Sequence, residues 1–134
     1  MLGEKLGDIS GKVTGTRVVP AGDGIEVETS FQGTGKMLGI DTVEMGTYCS
    51  SMGPSGHLYG QGQGLAMTAE GDSLRWRGMG VGKPTGKGAG VSYRYCVSYQ
   101  TASTKLARLN GVLVVGEWEV DENGNCKGQT WEWK

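Results

Sequence analysis

No stretch of this chain approaches the roughly 18 consecutive apolar residues of a membrane-spanning helix. Its first residues, MLGEKLGDISGK, place Glu4, Lys5, Asp8 and Lys12 where a signal peptide needs an unbroken apolar run. Both absences point to a cytoplasmic protein without a membrane partner. An excess of either charge is missing too: 13 Lys and Arg stand against 14 Asp and Glu, for a net charge of -1 with no basic cluster. Phosphate backbones need such a cluster, so nucleic acid is not an expected partner. Cysteine is scarce and scattered. Cys49, Cys96 and Cys126 are odd in number and contain no C-x-x-C pair, which suits neither a disulfide framework nor a metal site. They read as small hydrophobes. His57 is the sole histidine and follows Gly56 in a turn; Ser50, Ser51, Ser55 and Cys49 lie nearby without a nucleophile motif. It reads as a solvated loop residue, and a histidine-based metal centre lacks ligands.

Glycine, by contrast, supplies 26 of the 134 residues, much of it at every second position, as in YGQGQG (59–64) and GMGVG (78–82). Phosphate binding is the first chemistry such runs suggest, and GVGKPTGKGAG fails it. Gly82 and Gly86 are separated by three residues instead of four, Lys87 is followed by Gly88, and a strand comes next instead of a helix. A dinucleotide fingerprint fails for want of a βαβ unit, so no cofactor is implied. Alternate glycine among aromatic and β-branched residues instead belongs to strands that bend sharply or leave space beside them.

Turn signals recur at short intervals, at 21–24, 53–56, 70–72, 83–86 and 122–125. They delimit strands at 9–20, 25–39, 42–52, 57–68, 73–83, 89–101, 112–121 and 125–133. The fold class predicted is all-β, an eight-stranded antiparallel up-and-down barrel forming one domain over 1–134, with 1–8 loosely ordered. One segment departs from the pattern. TASTKLARLNG (101–111) predicts a short helix capped by Thr101 or Ser103, with Leu106 and Leu109 on one face and Asn110-Gly111 as its stop. Its role is a plug over one barrel end or a lid over a pocket mouth.

Alternation assigns the faces. Val91, Tyr93, Tyr95, Val97 and Tyr99 are predicted inward, as are Ile25, Val27, Thr29 and Phe31; Val112, Val114, Trp118 and Val120; and Trp131 and Trp133. The carboxylate pairs Glu26/Glu28 and Glu117/Glu119 then face solvent, unless the barrel is wet inside. Two registers fit the glycine hairpin. A three-residue loop with Gly71 left-handed sets Gly64 opposite Trp76, Gly62 opposite Gly78 and Gly60 opposite Gly80, with the indole across Gly64; a two-residue loop sets Gly62 against Met79. The first matches the common bulged hairpin and is preferred. It turns Leu65, Met67, Met79 and Val81 outward, either as a subunit contact in a homo-oligomer or as scattered surface residues.

The inward aromatic residues either fill the barrel or line a hollow over a bare glycine floor, with Thr29 or Thr47 as a polar anchor. The candidate ligand-binding residues are Trp76, Tyr93, Tyr95 and Trp118, with Gly62, Gly78 and Gly80 giving space; no catalytic residue is identified. The motifs GTYCS (46–50), YGQGQGLAMT (59–68), YQTASTKLARLNG (99–111) and the closing WEWK resemble those of small prokaryotic barrel proteins similar in turn to allene oxide cyclase-like and calycin-like barrels. That resemblance implies a barrel that confines an apolar substrate, often as a trimer. The expected function is therefore binding of a small apolar or aromatic molecule in the lumen. The alternatives are a cyclase or isomerase acting by confinement, with a tyrosine hydroxyl or inward carboxylate polarising the substrate, and a filled barrel acting only through its outer surface. A dry lumenal cavity of at least about 300 Å³ favours binding, and a carboxylate or tyrosine in it with a strongly perturbed pKa favours the enzyme.

Overall fold

Eight strands follow one another around a closed antiparallel barrel in the computed structural model, which describes residues 1–134. They are β1 (Leu2–Ala21), β2 (Gly24–Met37), β3 (Ile40–Met52), β4 (Leu58–Thr68), β5 (Ser73–Pro84), β6 (Val91–Gln100), β7 (Leu113–Val120) and β8 (Asn125–Trp133). Consecutive strands pair as hairpins, and β8 closes onto β1, so no edge is left unpaired. Residues 2–8, predicted to be loosely ordered, are instead the start of β1. Pairing with β8 orders them, and Leu6 is buried.

The preferred register of the glycine hairpin is the one observed. Gly64 stands opposite Trp76, Gly62 opposite Gly78 and Gly60 opposite Gly80. Gly71 has φ 90°, a left-handed value that closes the loop while Thr68 N–H donates to the Asp72 carbonyl at 3.0 Å.

A wider rule governs the interior. Almost every lumenal aromatic residue sits directly across from a glycine: Phe31 and Gly46, Tyr48 and Gly62, Trp76 and Gly64, Tyr93 and Gly82, Trp118 and Gly128. Tyr95 lies between two, Gly80 and Gly116. A Cβ on Gly46 would lie 2.8 Å from Phe31 Cζ, and one on Gly128 would lie 2.9 Å from Trp118 Cε3. In these pairs the missing side chain is the space into which a neighbouring ring lies, a cross-strand arrangement that also covers exposed backbone.

Two clusters fill the ends. Leu6, Met37, Leu74, Val97, Tyr99, Leu106, Leu109 and Val114 pack one end; Ile9, Phe31, Tyr93, Trp118, Val120 and Cys126 pack the other. Trp76 and Tyr95 touch both clusters. The predicted helix is reduced to a 3₁₀ turn at Ala107–Leu109. An isolated eleven-residue helix is marginal on its own, and here the Asn110 side chain ties the loop shut instead. Its Oδ1 accepts from Thr101 N–H at 2.9 Å and its Nδ2 donates to the Thr101 carbonyl at 3.0 Å. Leu106 and Leu109 nonetheless plug the barrel end, both fully buried.

Two face assignments are corrected. Ile25 and Val27 are 65% and 37% exposed. Their alternation is sound, but β1 loses its β8 partner after Lys12, and the β1–β2 hairpin past the bulge at Val13/Gly15 runs beyond the rim, where nothing covers it. Trp131 and Trp133 do not face the lumen; Cys126, Gly128 and Thr130 occupy that phase, fixed by the Trp118–Gly128 pair, and Trp133 is half exposed. On the outer wall, Met67, Met79 and Val81 are exposed and Leu65 is half-buried.

Candidate functional site

Between the two clusters lies a cavity of about 100 Å³. All seven candidate residues stand in its wall: Trp76, Tyr93, Tyr95, Trp118, Gly62, Gly78 and Gly80. The volume is about a third of what a drug-sized ligand pocket requires, because the glycines do less to empty the lumen than their lack of side chains suggests. A Cβ on Gly62 would meet the Thr47 carbonyl at 2.6 Å and Tyr48 Cβ at 2.7 Å; one on Gly80 would meet Tyr95 Cβ at 2.9 Å. These positions let adjacent strands approach closely, and the space left over is modest.

The expected threonine anchors do not serve. Thr47 points outward, where its hydroxyl meets that of Ser30 at 2.8 Å, and Thr29 is buried outside the cavity wall. Thr130 is the threonine that lines the cavity. His57 is exposed, its Nδ1 2.8 Å from Ser55 Oγ, and the three cysteines are unpaired. The pairs Glu26/Glu28 and Glu117/Glu119 stay off the lumen; Glu28 meets Arg17 and Glu119 meets Arg94, each at 3.3 Å.

The group that matters most was not a candidate in the sequence. Glu44, on β3, faces the cavity. It pairs with Gly33 on one side and Ala66 on the other, so neither neighbour has a side chain large enough to crowd it. Hydrophobic alternation points the wrong way here, since Glu44 lies between Val43 and Met45 and reads as the solvent-facing member. The structure turns Val43 and Met45 outward, 52% and 41% exposed, because Gly46 must lie under Phe31 and Tyr48 must share its phase. A signal was present: an inward Tyr48 places Gly46 and Glu44 inward at two-residue spacing.

Burial pushes the Glu44 carboxyl up to about 7 from its ordinary 4.5, with the nearby Trp76 indole N–H offsetting part of that rise. Trp76 Nε1 is itself buried and completes no hydrogen bond. The lumenal hydroxyls are better satisfied. Trp118 Nε1 donates to Tyr48 Oη at 3.3 Å, and the hydroxyls of Tyr93 and Ser50 meet at 2.6 Å. Burial raises Tyr48 to about 12, holds Tyr95 higher still and raises Tyr99 well above its ordinary value, with Glu44 adding to the effect on the last two. A tyrosine raised in the folded state keeps its proton above the pH at which the unfolded chain loses it, so folding is disfavoured as pH rises past about 10. An ultraviolet titration is therefore expected to show the ionisation of these buried tyrosines only near pH 12 or together with unfolding; their smooth titration near pH 10 in a folded protein contradicts the burial.

No family model matches the chain, and no curated protein sequence matches it. Solved structures do. A protein of unknown function from Clostridium acetobutylicum superposes with a TM-score of 0.82 at 13% identity, over 98% of this chain and 97% of that one. A β-barrel-like protein from Acinetobacter baumannii gives 0.79 at 14% identity, over 100% and 96%. A conserved protein of unknown function from Rhodopseudomonas palustris gives 0.78 at 13% identity, over 98% and 97%. Likeness at this level of identity extends to the fold alone, shared along nearly the whole length of each chain.

Proposed function

We propose that the barrel binds one small molecule in its lumen, held by an aromatic wall and anchored at Glu44. The observation that carries this reading is a carboxyl group facing a mainly apolar and aromatic cavity, beside an indole N–H that completes no hydrogen bond. Buried polar groups without partners are costly, and a ligand group of opposite polarity reaching Glu44 would relieve that cost. The cavity sets the size. About 100 Å³ lies well below the lower end of drug-sized pockets, so the ligand has only a handful of heavy atoms.

The alternative of an enzyme, similar to an allene oxide cyclase-like barrel in acting by confinement, draws support from one feature. A carboxyl pushed up to about 7 can act as acid or base near neutral pH.

The test is occupancy. Trp76 and Trp118 both line the cavity, so their fluorescence reports on its contents. Benzene, imidazole and tert-butanol are titrated against the protein and against Thr130→Met, which fills the wall. A fluorescence change and thermal stabilisation in the unaltered protein, lost in the variant, support lumenal binding; no response to any probe, or equal responses in both proteins, overturns it.

A further inference from the structure

Glu44 stands in the cavity without a cation. None of the residues that line the cavity is Lys, Arg or His. The basic side chains seen in ion pairs are spent on the outer surface: Arg17 with Glu28, Lys36 with Asp41, Arg94 with Glu119, Lys105 with Glu70, and Arg108 with Glu4 and Glu132. Asp8, the other acidic residue at the wall, is exposed and lies 3.8 Å from Lys5. The groups that face Glu44 are uncharged at neutral pH. They are the Trp76 indole from β5, the Tyr95 and Tyr99 hydroxyls from β6, and, more distantly, the Cys126 thiol from β8. Much of the remaining wall is ring surface, from Phe31, Tyr48, Tyr93 and Trp118, beside Ile9, Met37, Val97 and Thr130.

Resting on the reading of the lumen as a binding site, we propose that its ligand is a small organic cation, an alkylammonium whose charge meets Glu44 and whose methyl or methylene groups meet the aromatic rings. Three features select this class. A desolvated carboxylate gains from an opposite charge within contact distance. Ring faces attract cations, and more strongly where water is excluded. An anionic ligand would meet a carboxylate and no positive partner. The fit is also steric, since an alkylammonium of about five heavy atoms is on the scale of the cavity. Binding to the protonated form requires Glu44 to release its proton to solvent, so the ionised fraction sets the apparent affinity.

Tetramethylammonium chloride is the probe, with tert-butanol as a neutral molecule of similar shape and sodium chloride as the control for ionic strength. Tetramethylammonium is expected to change tryptophan fluorescence with an affinity that falls about tenfold from pH 8 to pH 6, following the carboxylate fraction of a group titrating near 7. Tert-butanol binding carries no such dependence. Glu44→Gln, which keeps the shape, is expected to lose the tetramethylammonium response and retain tert-butanol. Glu44→Ala, which enlarges the cavity, should show the same selectivity, so the outcome does not rest on one variant. If tert-butanol binds and tetramethylammonium does not, or if Glu44→Gln binds both equally, the cationic ligand is overturned while the lumenal site survives. If neither probe binds at any pH, both proposals fail.

Discussion

Glu44→Gln is expected to stabilise the protein at pH 8 by about 3 kcal/mol and to leave it nearly unchanged at pH 4. The direction follows from proton counting. The carboxyl holds its proton up to about 7 in the folded barrel, against 4.5 as its ordinary value. Between those values the folded state binds more protons than the unfolded chain, so stability falls as pH rises through the window. Below about 4.5 both states are protonated and the group contributes nothing; above 7 the full cost of a desolvated carboxylate is present. A neutral amide of the same shape avoids that cost, and the pH dependence between 5 and 8 should flatten. Thermal unfolding at both values measures it, with an expected difference of roughly 10 °C at pH 8. A variant that is equally destabilised at both pH values indicates a lost hydrogen bond or poor packing, and contradicts an unpaired carboxylate.

Gly35→Ala is the other large effect, and it acts on the barrel rather than the cavity. A Cβ at this position would lie 2.7 Å from the carbonyl carbon of Asp8 and 2.8 Å from Ile9 Cα. Both are backbone atoms of β1, the partner strand. No rotamer change relieves the clash, so β1 and β2 must separate at this point of their pairing. Overpacking in a core costs typically 1–3 kcal/mol even where side chains can adjust; here the expected loss is about 3 kcal/mol or more. Gly15→Ala is the contrast, because it has nothing within 4 Å and does not carry a left-handed φ. Chemical denaturation of the two variants should show a large drop in midpoint for the first and little change for the second. Similar midpoints for both would mean that the glycines of β1 and β2 tolerate side chains and do not set the curvature.

The contrast between these two glycines bears on what the amino-acid sequence reveals. The eight strands, their turns and the order around the barrel are legible because each turn carries its own chemistry, as Gly71 does in closing the β4–β5 hairpin. The register of that hairpin follows from the same residue. Tyr93, Tyr95 and Trp118 could be placed in the lumen because their strands alternate cleanly between apolar and polar, and Trp76 because the hairpin register sets it across Gly64. The hollowness of the barrel was not legible. Whether a glycine leaves a void or receives a neighbouring ring depends on the partner strand, and the pairs Tyr48–Gly62 and Tyr95–Gly116 exist only once β3 and β7 are in register with their neighbours. Glu44 was hidden for a related reason. Between Val43 and Met45, local hydrophobicity assigns it to solvent, and only the requirement for Gly46 beneath Phe31 reverses the phase. Trp131 and Trp133 failed in the same way, outvoted by Gly128 beneath Trp118. In each case the glycine opposite an aromatic ring decided the face, against the apolar pattern of its own strand.

The proposed site depends on one half-buried carboxyl group that faces an aromatic cavity and has no cation beside it. Carbon-13 labelling of the glutamate side chains allows the Glu44 carboxyl to be followed by nuclear magnetic resonance as pH is varied, with Glu44→Gln identifying its signal. A midpoint near 7, moving downward when tetramethylammonium is added, is the predicted result. A midpoint near 4.5 that ignores the added cation would place Glu44 in contact with solvent and contradict the site.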